Sequence, residues 1–458
     1  MAVLLSSLLP LCIDGSMFQP SPSRSFSAPL LRDRSTPLPT VPSLITMGST
    51  DAGDIVHRMN QHSSRAEVQV LGCRRLGELA ATSEPAVAEG GIEAVVRAMA
   101  VHLPCVAVQE GGCLALANLD DLKKGAVAEK GGIEAVVRAM EEHTSSTGVQ
   151  EAGCVALANL AAKGDIEKSA FGGNRAAIVA KNNRAAIVAK GGVEAVVRGM
   201  GVHSSSAAVQ EPGCKALANI AVSIHNKAPI AEKGGIEAVV RAMEEHASSA
   251  EVQEHGCAAL GMLVCENTEN QAAVVAKGGI RAVVRAMQAH ASSVGVQKQG
   301  CRALANLPGC SALGTMSTLQ HHIAAAVAAE GGIEVLVAAM GAHSSSAAVQ
   351  EAGCKALRFL SHTNAADVAA KGGIEAAVRA MEVHSSDAGV QEQACCALNN
   401  FAEDAGLPSW VRETGAVPLL EKALSAFPNR ELLRDDARLR QLQSLVRSSV
   451  VRRSEKAV

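Results

Sequence analysis

The stretch from Gly131 to Leu160 reads GGIEAVVRAMEEHTSSTGVQEAGCVALANL, and it recurs with small changes along most of the chain. Its histidine returns as His62, His102, His143, His203, His246, His290, His343 and His384, at intervals of 40, 41, 60, 43, 44, 53 and 41 residues. Its cysteine keeps the same rhythm as Cys73, Cys113, Cys154, Cys214, Cys257, Cys301, Cys354 and Cys395. Self-similarity at about 40–47 residues is the mark of a helical solenoid. Stacked repeats share one continuous core and present one long surface, which points to holding other proteins.

Each repeat reads as three helices. The first is short, as in Asn270 to Lys277, and ends at paired glycines such as Gly278-Gly279. Glycine supplies the positive φ that closes one helix and turns the chain into the next. The second runs from Ile133 to about His143, with Ile133, Val136, Val137 and Met140 on one stripe. Glu134 and Arg138 stand four apart on its other face, in the favourable order for an ion pair. The pairing recurs as Glu93/Arg97, Glu194/Arg198, Glu237/Arg241 and Glu375/Arg379. A serine-rich loop follows, and the third helix runs from Val149 to about Ala162. Val149, Gly153, Ala156, Leu157 and Leu160 form its buried stripe, and Gly153 suggests close approach to a neighbouring backbone.

Composition narrows the function. The formal net charge is −3, which gives no basic field for nucleic acid. There is one Trp, Trp410, and no Tyr, so stacking platforms for single strands are missing. The 13 cysteines form no C-x-x-C pair. One per repeat in a stack leaves them too far apart for disulfides, so they read as reduced core thiols in a reducing compartment. No apolar run reaches the length of a membrane-spanning helix.

The glycine-ended first helix, the "GGIEAVV" second helix and the "VQE-x-G-C-x-A-L-x-N-L" third helix resemble the armadillo repeat. The resemblance covers residues 51 to about 448. It is nearest to armadillo arrays of algal and protist proteins and to the armadillo region of the leucine-rich-repeat kinases; no kinase or GTPase motif accompanies it. It implies an all-α, right-handed superhelical solenoid of about eight three-helix repeats. It also implies that third helices line a concave groove, where an asparagine ladder binds the backbone of extended peptides. The matching positions are Asn118, Asn159, Asn219, Asn306 and Asn400, with Glu78, Met262 and Phe359 departing from the pattern. An asparagine amide offers both a donor and an acceptor to a peptide unit. The other reading is that it satisfies carbonyls of the neighbouring repeat, and the residues leave both open. Nuclear-import relatives carry a tryptophan ladder four residues earlier. Here that row reads Arg74, Leu114, Val155, Lys215, Ala258, Arg302, Lys355 and Cys396, so recognition of import signals is not expected. Arg74, Lys215, Arg302 and Lys355 instead place positive charge there. Glu110, Glu151, Glu211, Glu254, Glu351 and Glu392 stand nearby, where acids also complement the helix dipole.

Several segments break the rhythm. Residues 1–49 precede the repeats and read as an organelle-targeting leader or as a start placed too early. NRAAIVAK occurs twice, at 174–181 and 183–190. Nine residues along a helix make half a turn beyond two full turns, so Ile178 and Ile187 would face opposite sides. Only the second copy, which abuts Gly191-Gly192, is expected to pack, with Ile187 and Val188 buried and the first copy expelled as a loop or protruding helix. Loop insertions are expected near 165–182 and 308–320. The solenoid is placed at 51–428, with a charged capping helix and tail at 429–458.

Nothing in the repeat reads as chemistry. Histidines about 10 Å apart cannot share a metal, and at the end of the second helix each can meet the last carbonyls. The glycine pairs lack phosphate-loop spacing. No catalytic, cofactor or metal residue is assigned. The expectation is a monomeric, non-catalytic, cytoplasmic adaptor holding a peptide or protein through the third-helix groove, with no nucleic acid and no transmembrane segment. The alternatives are a structural component of a cytoskeletal or organellar assembly docked through the convex face, and organelle targeting if residues 1–46 are a leader.

Overall fold

The computed structural model describes residues 52–80, 90–119, 123–162, 172–308, 318–403 and 416–427. Every regular element among them is an α-helix, and the chain is an all-α solenoid of helical repeats. The proposed leader, the C-terminal tail, and residues 165–171 and 309–317 of the two insertions lie outside the described residues. The chain divides into two compact units, one up to Gly192 and one from Val193 onward.

Repeat 3 shows the plan of the first unit, with helices Lys124–Glu129, Gly132–Glu142 and Thr147–Ala161. Repeat 6 shows it for the second, with Thr268–Ala276, Gly279–Ala289 and Val294–Asn306. The paired glycines have separate tasks. The first takes a left-handed conformation, with φ between 77° and 84° from Gly90 to Gly372. The second requires space: a Cβ on Gly132, Gly192, Gly235, Gly279, Gly332 or Gly373 would lie 2.7–3.0 Å from a carbonyl oxygen of the preceding helix. Serine then starts the third helix. The hydroxyls of Ser146, Ser249 and Ser293 accept from the amides of Val149, Val252 and Val296, satisfying donors that a helix start leaves open.

Second and third helices interlock through methionine and glycine. A Cβ on Gly153 would stand 2.5 Å from Cγ of Met140, and the same holds for Gly72 with Met59 and Gly300 with Met287. The sequence suggested that Gly153 admits a neighbouring backbone; it admits a side chain of its own repeat. Backbone approach occurs instead at Gly77 and Gly261, whose Cβ positions lie 3.2 Å from Cα of Ala115 and Ala303 in the next third helix. Around this lock Val149, Ala156, Leu157 and Leu160 are fully buried, as expected.

A glutamine completes the hairpin. The side-chain amides of Gln69, Gln109, Gln150, Gln210, Gln253, Gln297, Gln350 and Gln391 each donate to two carbonyls at the end of their own second helix. The methionine carbonyl lies at 2.7–3.0 Å. The histidine carbonyl lies at 2.9–3.0 Å. All eight glutamines are buried. The histidine side chain does not fold back on its own helix. Nε2 of His102, His143, His246, His290, His343 and His384 meets a carbonyl of the preceding repeat's loop at 2.6–2.8 Å. A carbonyl only accepts, so Nε2 carries the proton in each case.

The outward acids also pair between repeats. Glu134 reaches Lys190 at 2.8 Å, Glu194 reaches Lys233 at 3.0 Å, Glu237 reaches Lys277 at 3.0 Å and Glu334 reaches Lys371 at 2.8 Å. Glu93 pairs with Lys130 in the same way. The arginine four residues on acts on Glu93 and Glu194 only as a weaker, more distant charge, and Arg97 donates instead to Oδ1 of Asn60 at 2.7 Å. The lysine lies across the repeat junction from the glutamate, at the end of the next first helix, within ion-pair distance. Lys130 holds Glu93 below its ordinary pKa; at Glu134, Glu194 and Glu237 burial acts upward, and a backbone hydrogen bond together with the lysine outweighs it. All of these pairs are substantially exposed, so each contributes about 0–1 kcal/mol. Burying one leucine such as Leu157 contributes roughly 1.5–3 kcal/mol, so the core holds the stack and the ion pairs adjust its register.

Both NRAAIVAK copies lie in one helix, Gly172–Ala189. Ile187 is fully buried and Ile178 is 58% exposed, as half a turn between them requires. The second copy packs: Asn183 donates to the carbonyls of Lys124 and Leu160, and Arg184 donates to that of Ala161. One expectation needs correcting, since Val188 is half-buried rather than buried; of the two forms expected for the first copy, it takes the helical one. It extends the helix, with Ala180 buried and Val179 against Gly125, because continuing the helix keeps every backbone hydrogen bond. Likewise residues 318–320, read as loop, begin the helix Thr318–Ala329.

Deleting Gly173 to Asn182 should move the melting temperature by only a few degrees, since the deep anchors Asn183, Arg184 and Ile187 remain. Ile187→Ala should cost about 2–5 kcal/mol, or roughly 4–20 °C at about 2–4 °C per kcal/mol. Differential scanning calorimetry of the two variants checks the order; a larger loss from the deletion would mean that the first copy anchors the stack.

Candidate functional site

Within each unit, successive third helices contact one another more extensively than successive second helices do. The third-helix side is therefore the more closely packed side of each unit. It carries the residues singled out in the sequence.

The asparagines point their Nδ2 inward along the stack. Asn118 donates to the carbonyl of Gly77 at 3.3 Å, Asn159 to Ala117 at 3.0 Å, Asn306 to Gly261 at 3.1 Å and Asn400 to Arg358 at 2.7 Å. Asn118 is exposed, Asn159 half-buried, and Asn219, Asn306 and Asn400 are buried. Oδ1 of Asn306 accepts from Lys355 at 3.1 Å. The amide donor thus serves the neighbouring repeat, whichever role the oxygen has. In the departing repeats Met262 and Phe359 are buried and Glu78 pairs with Arg75 at 2.7 Å.

Four residues earlier the row is more open. Arg74 is exposed, Leu114 is 41% exposed, and Val155, Lys215, Arg302 and Lys355 are half-buried. Ala258 and Cys396 are buried. In the second unit the row brings Lys215, Arg302 and Lys355 to one side, with buried Ala258 between the first two.

The acids of the third helix lean onto the next repeat. A Cβ on Gly148 would meet the Glu110 carboxylate, one on Gly295 would meet that of Glu254, and one on Gly389 would meet that of Glu351. Each of these glycines lies in the first turn of a third helix, the positive end of its dipole. The sequence placed each acid against its own helix start, but the helix it serves is the following one. Burial raises the pKa of Glu211 and Glu254. His255, beside Glu211 at 3.8 Å, is pushed down to about 4, first by burial and then by Lys215, so it is neutral at pH 7.

The cysteine row is sealed. Cys73, Cys113, Cys154, Cys214, Cys257, Cys301, Cys354 and Cys395 have no solvent exposure. Burial pushes the thiols of Cys73, Cys154 and Cys301 up to about 12, and those of Cys113, Cys257, Cys354 and Cys395 higher still. The nucleophile is the thiolate, so this row is chemically inert. Among the described residues no three His, Cys, Asp or Glu side chains converge on a metal site. No single helix among them is long and apolar enough to cross a membrane.

A family model described as the LRRK2 ARM repeat matches residues 184–328. The crystal structure of an engineered protein from the Northeast Structural Genomics Consortium is 25% identical with a TM-score of 0.56, covering 87% of this chain and 98% of that one. A second engineered protein from the same consortium is 27% identical with a TM-score of 0.46, covering 56% of this chain and 96% of that one. No curated protein matches the chain. The chain is a helical repeat protein, consistent with the armadillo type over the matched residues. Repeat solenoids of this type are typically protein-interaction scaffolds and are generally not enzymes.

Thiol labelling should separate the cysteines by burial. Half-buried Cys105 should react in the native protein, while Cys73, Cys113, Cys154, Cys257, Cys301, Cys354 and Cys395 should wait for denaturant. Mass spectrometry of native samples labelled at pH 8 checks this. Rapid modification of the whole row would contradict its burial.

Proposed function

We propose that the protein is a non-catalytic adaptor that holds an extended peptide or protein segment along its third-helix face. The observation that carries this reading is a contrast between two faces. On the second-helix face the regular charges pair repeat to repeat, and maintaining the stack accounts for their regularity. On the third-helix face the row Arg74, Leu114, Val155, Lys215, Ala258, Arg302, Lys355 and Cys396 changes chemistry at nearly every step. Side chains that hold repeats together recur; side chains that read a partner differ from place to place.

In this reading Arg74, Lys215, Arg302 and Lys355 contact the partner's side chains. Asn118, Asn159, Asn219, Asn306 and Asn400 border its backbone. The asparagine Nδ2 atoms tie repeats together, which leaves backbone recognition to amide oxygens such as those of Asn118 and Asn159, while that of Asn306 accepts from Lys355. The contrast disfavours docking through the convex face, where the acids already have lysine partners.

The test is a random peptide display library panned against the full chain, followed by binding measurements on variants. Selected peptides should lose at least about tenfold in affinity, or 1.4 kcal/mol, for a Leu114→Glu, Asn118→Ala, Asn159→Ala variant. Each asparagine change removes a hydrogen bond worth roughly 0.5–1.5 kcal/mol, so melting should fall by a few degrees and the helical spectrum should persist. Peptides that instead respond only to Glu134→Ala or Glu237→Ala would place the docking surface on the convex face.

A further inference from the structure

Repeat 6 reverses two charges, and the two reversals behave differently. On the outer face Arg281 stands at the position that Glu93, Glu134, Glu194, Glu237, Glu334 and Glu375 hold in other second helices. Its partner across the repeat junction is reversed as well: Glu330 stands at the position that Lys130, Lys190, Lys233, Lys277 and Lys371 hold elsewhere. The two meet as a two-pronged pair, Nη2 to Oε1 at 2.9 Å and Nε to Oε2 at 3.2 Å. This is how a charge reversal looks when it serves the stack.

On the third-helix face Lys298 stands where six other repeats carry Glu110, Glu151, Glu211, Glu254, Glu351 and Glu392. No reciprocal change accompanies it. The next repeat keeps Glu351, and the row four residues on contributes two more bases, Arg302 and Lys355. Lys298 makes no hydrogen bond or ion pair among the described residues, although it is half-buried. Burial and then the charge of Arg302 disfavour its ammonium, with Glu254 and Glu351 acting the other way. Glu254 lies against the helix start at Gly295, and Glu351 against that at Gly389. An unpaired, partly desolvated ammonium beside a second cation is a cost that an incoming anion would remove.

We propose that the third-helix face of repeats 6 and 7 receives an acidic stretch of an extended peptide, whose carboxylates meet Lys298, Arg302 and Lys355. The proposal rests on the third-helix reading above and adds the chemistry of the partner. Carboxylates at alternate positions of an extended chain fall on one side, which suits basic side chains spread over adjoining repeats.

The probe is a fluorescent oligo-glutamate peptide of about ten residues, which spans up to roughly 33–36 Å when extended and so crosses several repeats at about 10 Å each. Fluorescence anisotropy with the full chain at low salt should show binding of this peptide over an oligo-lysine peptide of equal length. Lys298→Glu, which installs the residue that most repeats already hold, should weaken binding about tenfold. Lys298→Gln and Lys355→Gln should each weaken it less. Arg281→Glu with Glu330→Lys, which restores the outer pattern, should leave affinity unchanged. Equal affinity of the wild type and Lys298→Glu, or preference for oligo-lysine, would overturn the proposal. Equal binding of an oligothymidylate of matched charge would also overturn it, by making the site a general polyanion surface. If display-selected neutral or basic peptides bind the third-helix face while oligo-glutamate does not, the acidic assignment fails and the adaptor reading stands. If no peptide binds that face, both fail.

Discussion

The architecture depends on one buried side chain per repeat, the glutamine of the Val-Gln pair. A helix end leaves carbonyls without partners, and a buried one must find a donor nearby. Here two carbonyls of the second helix, exemplified by Met140 and His143, are served by the single amide of Gln150. Serving both fixes the angle between second and third helices. It also sets methionine over glycine, so that the packing of Met140 on Gly153 follows from the same geometry. Leucine there would keep the apolar area and strand both carbonyls.

Once each hairpin is rigid, the contacts between repeats are few and specific. The histidine binds the preceding loop, the asparagine binds the preceding third helix, and the glutamate binds the lysine that ends the following first helix. Each is modest alone, but together they set spacing and register along the array, while leucine, isoleucine and valine supply most of the stabilisation. The outer surface of such a stack is regular because regularity is its function. The third-helix row is free to vary, and its variation is the reason to read it as the surface that discriminates among partners.

Much of this was legible from residue order. The helical periods, the glycine stops, the buried cysteines and the half-turn between Ile178 and Ile187 follow from local geometry. The candidate surface was legible as well, since a repeat registers each position against its copies. The errors share a cause. Glu134 was matched to Arg138 along its helix, yet its partner is Lys190, 56 positions away. Gly153 was given to a backbone, yet it accommodates Met140. A glutamine such as Gln150 reads as solvent-facing along its own helix, and only the carbonyls of Met140 and His143 give the reason for its burial. The paired swap of Arg281 and Glu330 was visible in the sequence and would have revealed the correct partners.

The sequence by itself determined that this chain is a helical repeat array, where its glycine-ended and serine-started helices begin and stop, and most of the side chains that line its core. Those properties depend on neighbours within about one helical turn or on recurrence at a fixed period. Only the tertiary structure decided which polar groups meet: glutamine with the end of its own second helix, histidine and asparagine with the preceding repeat, glutamate with the lysine of the next. It also separated a charge reversal that has its counterpart, at Arg281, from one that has none, at Lys298. Such pairings depend on how rigid hairpins stack in space, and residue spacing along one helix does not encode that.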